Sequence, residues 1–210
     1  MSLPPSYFEK LYAGSPDPWG FAERWYERRK YAITLASLPE PRYRSAFEPG
    51  CSIGLLTGQL AARCTRLLAA DAAEGALATA RARLAGHPNV TVERRVLPGD
   101  WPDGRFDLIV LGELGYYLSR ADLARLVELA TGSLEPGGTL LAVHWRHPVD
   151  DYPLRGDDVH DAIAAAPGLT RTARHLEDDF VLDVLVRDGG GPRSVAARTG
   201  LVPDDTPDRR

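Results

Sequence analysis

Residues 45–71 read SAFEPGCSIGLLTGQLAARCTRLLAAD, and the reading of this stretch decides the fold. Ser45 to Glu48 has the character of a short strand. Gly50, Ser52 and Gly54 make a turn with almost no side-chain bulk, so a ligand can approach its backbone closely. Leu55 to Cys64 continues as a helix with Leu56, Leu60 and Ala61 on one face. Arg66 to Ala70 forms the next strand, and Asp71 stands at its C-terminal end. The separation of Gly50 from Asp71 is that of a nucleoside-binding βαβ unit, in which an acidic group about 20 residues beyond the glycines holds ribose hydroxyls.

The turn discriminates between nucleosides. A dinucleotide fingerprint, G-x-G-x-x-G, uses its third glycine for close helix–strand packing. Counted from Gly50, this chain has Ser52 at the second place and Leu55 at the third, which disfavours a nicotinamide oxidoreductase. It also carries Glu48 two residues before the first glycine. A carboxylate there repels a pyrophosphate and suits a cationic ligand bearing an ammonium and a sulfonium, S-adenosylmethionine. The bland alternative is an ordinary βα turn; Glu48 and the correctly spaced Asp71 weigh against it.

The length of 210 residues fits one domain with an N-terminal lid and a tail. A hydrophobic content of 44% with 26% charged residues is that of a soluble globular protein. The net charge of −4 gives no support to nucleic-acid binding, which needs clustered positive charge. Cys51 and Cys64 have no metal-type spacing and read as two reduced thiols. No apolar run reaches transmembrane length and no leader pattern precedes the first helix, so the expected location is cytoplasmic, without membrane contact.

Tyr7, Phe8, Leu11 and Tyr12 fall at helical spacing, and after the break GSPDPWG residues 21–37 form a second helix dense in aromatics. Residues 1–40 are therefore expected to be a helical lid over the ligand cleft, or a helix pair packed on the sheet. Within the core, residues 41–187, a helix is expected over Glu74 to Leu84 and strands over Val90 to Glu93 and Phe106 to Leu111. A helix over Leu118 to Thr131 follows, with Ser119 as N-cap. Pro136-Gly137-Gly138 reads as a turn before a strand over Thr139 to Trp145. A loop from His147 to Gly156 leads to a helix over Asp157 to Ala166 capped by an aspartate, then paired strands over Arg171 to Glu177 and Asp179 to Val186. Residues 188–210 are glycine-, proline- and charge-rich and read as a flexible tail. The pattern predicts an α/β, Rossmann-like doubly wound sheet of seven strands with a terminal antiparallel strand. In such sheets ligands sit beyond the carboxyl ends of the strands, at the switch point beside the first.

E-P-G-C-S-I-G, the strand end at Asp71, F-D-L-I-V-L-G-E-L-G-Y-Y-L and L-E-P-G-G-T-L-L resemble the class I S-adenosylmethionine-dependent methyltransferases. D-P-W followed by E-x-R-K, with E-x-x-Y-Y-L, is similar to the NodS-like group, N-methyltransferases acting on amino sugars of lipo-chitooligosaccharides. The resemblance spans roughly residues 5 to 187. It implies that Glu48, Gly50 and Ser52 line the methionine end of S-adenosylmethionine, that Cys51 and Gly54 also belong to the cofactor site, that Asp71 takes both ribose hydroxyls, and that Ala72 packs on the adenine. Many members place an acid near Arg95 for the adenine amino group. A guanidinium has only donors, so backbone groups at Val96 and Leu97 are expected instead. Glu113 is expected to face the cleft, near the methionine moiety or the substrate. Trp19 and Tyr26 are expected to close over the cofactor, and Arg29 to bind its carboxylate; a tryptophan that only staples the first two helices is the alternative.

Methyl transfer is an in-line displacement at an already activated carbon, so the protein supplies proximity, orientation and exclusion of water. A base is needed only if the nucleophile arrives protonated, as an amine usually does near neutral pH. Three of the five histidines lie in HWRHPVDDYPLRGDDVH, residues 144–160, where the substrate loop should fall. Histidine titrates in the useful range. The expected catalytic residues are His144, Glu113 and Tyr117; the expected substrate contacts are Tyr116, Tyr117, His144, Arg146, His147 and His160. A metal held by these histidines with Asp151 and Asp157 is a rival that H-x-x-H across a proline supports poorly, and no metal is expected. The expected activity is methylation of a small-molecule amine, an amino sugar or natural-product intermediate. O-methylation and a catalytically inactive binding protein are the alternatives. Acceptor and oligomeric state are not legible.

Overall fold

The computed structural model describes residues 1–189 and 194–203. A seven-stranded sheet runs in the order β3-β2-β1-β4-β5-β7-β6. Its strands are β1 (Tyr43–Pro49), β2 (Cys64–Asp71), β3 (Val90–Arg94), β4 (Phe106–Gly112), β5 (Leu134–Trp145), β6 (Leu169–Leu176) and β7 (Phe180–Arg187). β1 to β5 are parallel, and β7 lies antiparallel between β5 and β6. The order reverses between β1 and β4, which opens a crevice above their carboxyl ends.

The helices are α1 (Pro5–Gly14), α2 (Trp25–Ser37), α3 (Leu55–Ala61), α4 (Glu74–Leu84), α5 (Arg120–Ser133), α6 (Gly156–Ala164) and α7 (Val195–Arg198). Alternation along β4 divides the core. Ile109 and Leu111 face α5 and α6 through Leu126, Val159 and Ile163. Leu108 and Val110 face the opposite layer, where Leu56, Leu60 and the half-buried Tyr31 and Ile33 pack. α2 is thus a layer of the sandwich. α1 bridges the crevice: Leu3 N–H donates to Tyr117 O at 2.8 Å, Phe8 meets the Tyr117 ring edge-on, and Tyr12 bonds Ser52 across from them.

Several boundaries differ from expectation for local reasons. The second helix starts at Trp25 and not at residue 21, because both carboxylate oxygens of Asp17 accept the Phe21 and Ala22 N–H groups and hold a turn there. α3 stops at Ala61, and β2 starts at Cys64, where Asn89 Nδ2 ties the Ala61 and Cys64 carbonyls together. β5 runs from Leu134 through Pro136-Gly137-Gly138, with the register against β4 shifting between Phe106 and Leu108, so the expected turn is a bulge. Ser119 caps α5 by accepting the Asp122 N–H. The cap of α6 is Arg155, and the aspartate that serves it is Asp158, which accepts the Arg155 N–H at 3.0 Å. Residues 190–193 and 204–210 of the expected tail lie outside the described residues. Within the rest of it, Ser194 caps α7, and Arg198 pairs with Glu40. Among the described residues no helix is long and apolar enough to cross a membrane.

Candidate active site

A cleft opens at the switch point between the ends of β1 and β4, roofed by α1. Its floor is the glycine turn. Gly50 and Ser52 take φ of 76° and 49°, and the Gly50 and Cys51 N–H groups both donate to Ala70 O, at 2.7 and 2.9 Å. This locks the turn onto the end of β2. Ser52 N–H then donates to Asp71 Oδ2 at 2.9 Å, and Ala73 N–H to Oδ1 at 3.0 Å. Asp71 is therefore preset by backbone on both oxygens, with lone pairs left for a vicinal diol. Burial raises its pKa against the pull of the Ala73 and Ser52 amides.

Glu48 lies below the turn, 4% exposed, and its Oε2 has no hydrogen-bond partner. Burial pushes its pKa up to about 8, the Thr57 hydroxyl opposing and the Asp71 carboxylate adding to the shift. A buried, unpartnered carboxyl on a cavity wall is a receptor for an ammonium. Together with the Gly50 turn and Asp71, it fits the amino-acid and ribose parts of S-adenosylmethionine.

Along the wall facing Glu48, Glu113 follows β4 with φ 52°. Its Oε1 accepts from Lys30 Nζ at 2.5 Å; its Oε2 accepts the Trp145 N–H at 3.0 Å and the Tyr116 hydroxyl. Lys30 also pairs with Glu27 at 3.0 Å, with its side chain 3% exposed. Burial works against the Lys30 charge, yet Glu113 and Glu27 together hold its pKa above the ordinary lysine value. Lys30, Glu27, Tyr12 and Tyr31 were not singled out from sequence as site residues. The E-x-R-K motif holds Glu27 and Lys30, but a charged run on a helix reads as a solvated face.

The cleft wall includes Trp19, Glu48, Gly50, Cys51, Ser52, Asp71, Ala72, Val96, Leu97, Glu113 and Tyr117 from the expected set. Trp19 stacks on Phe21 and meets Tyr12 edge-on, so it is also the staple of the N-terminal segment. Other expectations are corrected. Arg29 forms a two-pronged pair with Glu177, at 2.7 and 2.8 Å, away from the cleft. Tyr26 packs against Trp145 and Phe180. Gly54 caps α3 against α4 and is not on the wall. Val96 N–H is taken by Asp100 Oδ2 at 2.9 Å and is not open to a ligand, while Leu97 stays on the wall. Glu113 has both oxygens engaged and is no free base.

His144 and His160 are buried and off the wall, their rings joined to each other and to Asp183. Tyr116 is likewise behind the wall, its hydroxyl spent on Glu113. Arg146 grips Asp157 at 2.9 and 3.1 Å, and His147 pairs with Asp179 at 2.8 Å on the surface. Among the described residues no three His, Cys, Asp or Glu side chains are grouped to hold a metal ion.

Known proteins share this architecture. The methyltransferase domain family matches over residues 46–138. A Pseudomonas syringae crystal structure described as a methyltransferase is 48% identical, with TM-score 0.70 over 78% of this chain and 100% of that one. N-methyltransferase NodS from Bradyrhizobium japonicum WM9, in complex with S-adenosyl-L-homocysteine, is 24% identical with TM-score 0.78 over 88% of this chain and 98% of that one. Nodulation protein S of Rhizobium tropici is 32% identical over 130 residues, 60% of this chain. The chain spans about half, 53%, of that curated relative's length.

Proposed function

The chain belongs to the class I S-adenosylmethionine-dependent methyltransferases of the NodS-like group, and on that premise we propose that it methylates an amine nitrogen of a small molecule. The cofactor, when bound, supplies a methyl carbon already activated by its sulfonium. The chain's residues bind and orient. Glu48 meets the ammonium, Asp71 the ribose diol, and Ala72 with Leu97 the adenine. Trp19, Phe8 and Tyr117 close the cleft to water.

The observation that carries the choice of nitrogen is that, once Glu48 and Asp71 are given to the cofactor, no free carboxylate or histidine is left on the described cleft wall to act as a base. No histidine lines it, and the Glu113 carboxylate is committed to Lys30, Trp145 and Tyr116. An amine that enters unprotonated brings its own lone pair, whereas a hydroxyl must be deprotonated to attack. The similar structure named N-methyltransferase NodS supports nitrogen as the acceptor atom, and the motif resemblance implies an amino sugar as the acceptor class. The charge of −4 supports a small-molecule acceptor over a nucleic-acid partner. Transfer of labelled methyl to a panel of amino sugars and alkyl amines, against matched alcohols and phenols, tests the proposal. Labelled amine with a rate that climbs with the amine's own deprotonation supports it; transfer to the oxygen acceptors alone overturns it.

A further inference from the structure

Two of the three histidines clustered between residues 144 and 160 do not line the cleft, yet both are fully buried with all ring nitrogens engaged. His144, on β5, is 0% exposed, and His160, on α6, is 1% exposed. Gly115 N–H donates to His144 Nε2 at 3.2 Å. A neutral ring that accepts at Nε2 carries its proton at Nδ1. That N–H points to His160 Nε2, 3.1 Å away, and the His160 Nδ1–H in turn donates to Asp183 Oδ2 on β7 at 2.7 Å. Asp183 can only accept, so the direction of every proton in the chain follows from its two ends. Burial first, then His160 and Lys30, holds the His144 pKa well below the ordinary histidine value, in keeping with a neutral ring.

The chain ends at the cleft wall. Glu113 occupies the left-handed region at φ 52°, which side chains adopt only when neighbours hold them there. Three consecutive β5 residues do so. Val143 O takes the Glu113 N–H at 2.9 Å, His144 Nε2 takes the Gly115 N–H, and Trp145 N–H donates to Glu113 Oε2 at 3.0 Å. If the His144 proton sat on Nε2, two N–H groups would face each other and the middle clasp would open. We infer that Asp183 and His160 are positioning residues: they fix the tautomer of His144, which then holds Glu113 on Lys30 at the methionine end of the cofactor cleft. The inference rests on the cofactor reading for which part of the ligand feels the loss, and on the geometry alone for the tautomers.

Long-range proton–nitrogen correlation spectra of the intact, ligand-free protein decide the tautomers. Nitrogen shifts placing the proton on Nδ1 of both rings support the inference; an Nε2-protonated or charged His144 overturns it. Calorimetry with two ligands then tests positioning. S-adenosylhomocysteine has the amino-acid part, and 5′-methylthioadenosine lacks it. His160→Gln keeps one acceptor and one donor and should bind both ligands within about threefold of the parent protein. His160→Leu removes both and should weaken S-adenosylhomocysteine at least about tenfold while leaving methylthioadenosine within about threefold. Equal losses for both ligands, or none for either in a folded His160→Leu protein, overturn it. If His160→Leu fails to fold, the tautomers and the Gln variant still decide. A parent protein that binds neither ligand refutes the cofactor reading and leaves the spectra to judge the histidine chain.

Discussion

Glu48 holds a proton at neutral pH, because burial pushes its pKa up to about 8. An ammonium arriving beside it favours the ionised form, so ligand binding must expel that proton. Titration of S-adenosylhomocysteine at pH 7 in buffers of different ionisation enthalpy should show release approaching about one proton per site. The affinity should rise toward about tenfold per pH unit between pH 6 and 7.5. Zero release would mean the ammonium is met elsewhere. Asp71→Ala removes the diol acceptor, a charge-assisted bond worth about 1.5–3 kcal/mol, so the dissociation constant should rise at least about tenfold. An unchanged constant would unseat Asp71 as the ribose partner. The place of both residues at the cleft was legible in the sequence because Glu48 adjoins the glycine turn and Asp71 follows it by about 20 residues in one βαβ unit, where spacing determines position. Arg29 and His144 were misplaced because what engages them lies elsewhere along the chain: Glu177, in the loop after β6, for Arg29, and His160 on α6, itself held by Asp183 on β7, for His144. Lys30 was missed because it is buried against the Glu113 carboxylate, a partner 83 residues away that no local pattern reveals.

At the scale of elements, the glycine turn works only if α3 starts hard against α4. Gly54 caps α3 with φ 77°, and a Cβ there would stand 3.0 Å from Leu84 Cδ1 and 3.2 Å from Ala80 Cβ. Gly54→Ala adds backbone strain to a close contact and should destabilise by about 1–3 kcal/mol. A chemical melt should show a lower midpoint with unchanged slope. An unshifted midpoint would mean that α4 yields freely. Strands β1 to β5 and their helices were readable from period and turn chemistry, since all but β3 bury residues on a predictable face and β3 is half-buried or exposed along its length. What escaped the sequence is where side chains overrule propensity. Asp17 stops the second helix short, and the register shift against Phe106 draws Pro136-Gly137-Gly138 into β5.

Across the whole molecule, stability against pH is set by buried groups of opposite sense. The folded chain keeps the Glu48 proton up to about 8, whereas the unfolded chain loses it near 4.5. Its contribution is therefore complete below about 4.5 and drains away as pH rises toward 8. Asp71, also raised by burial, adds the same sense from a lower start. His144 acts the other way: it stays neutral when folded, while the unfolded ring takes a proton below 6.5, so stability falls on acidification through that value. The slopes oppose one another between about 4.5 and 6.5, and only the carboxyls act above. Calorimetric scans of the ligand-free protein should show a flat melting temperature over the lower range. Between pH 6.5 and 8 stability should decline by about 2 kcal/mol, or about 4–8 °C in melting temperature. If the ammonium of S-adenosylhomocysteine is met by the ionised Glu48, as proposed, the ligand should raise the melting temperature more at pH 8 than at pH 6. Glu48→Gln should flatten the alkaline decline and erase that difference. If the decline survives the substitution unchanged, another buried acid carries it, and the proton expelled on binding does not come from Glu48.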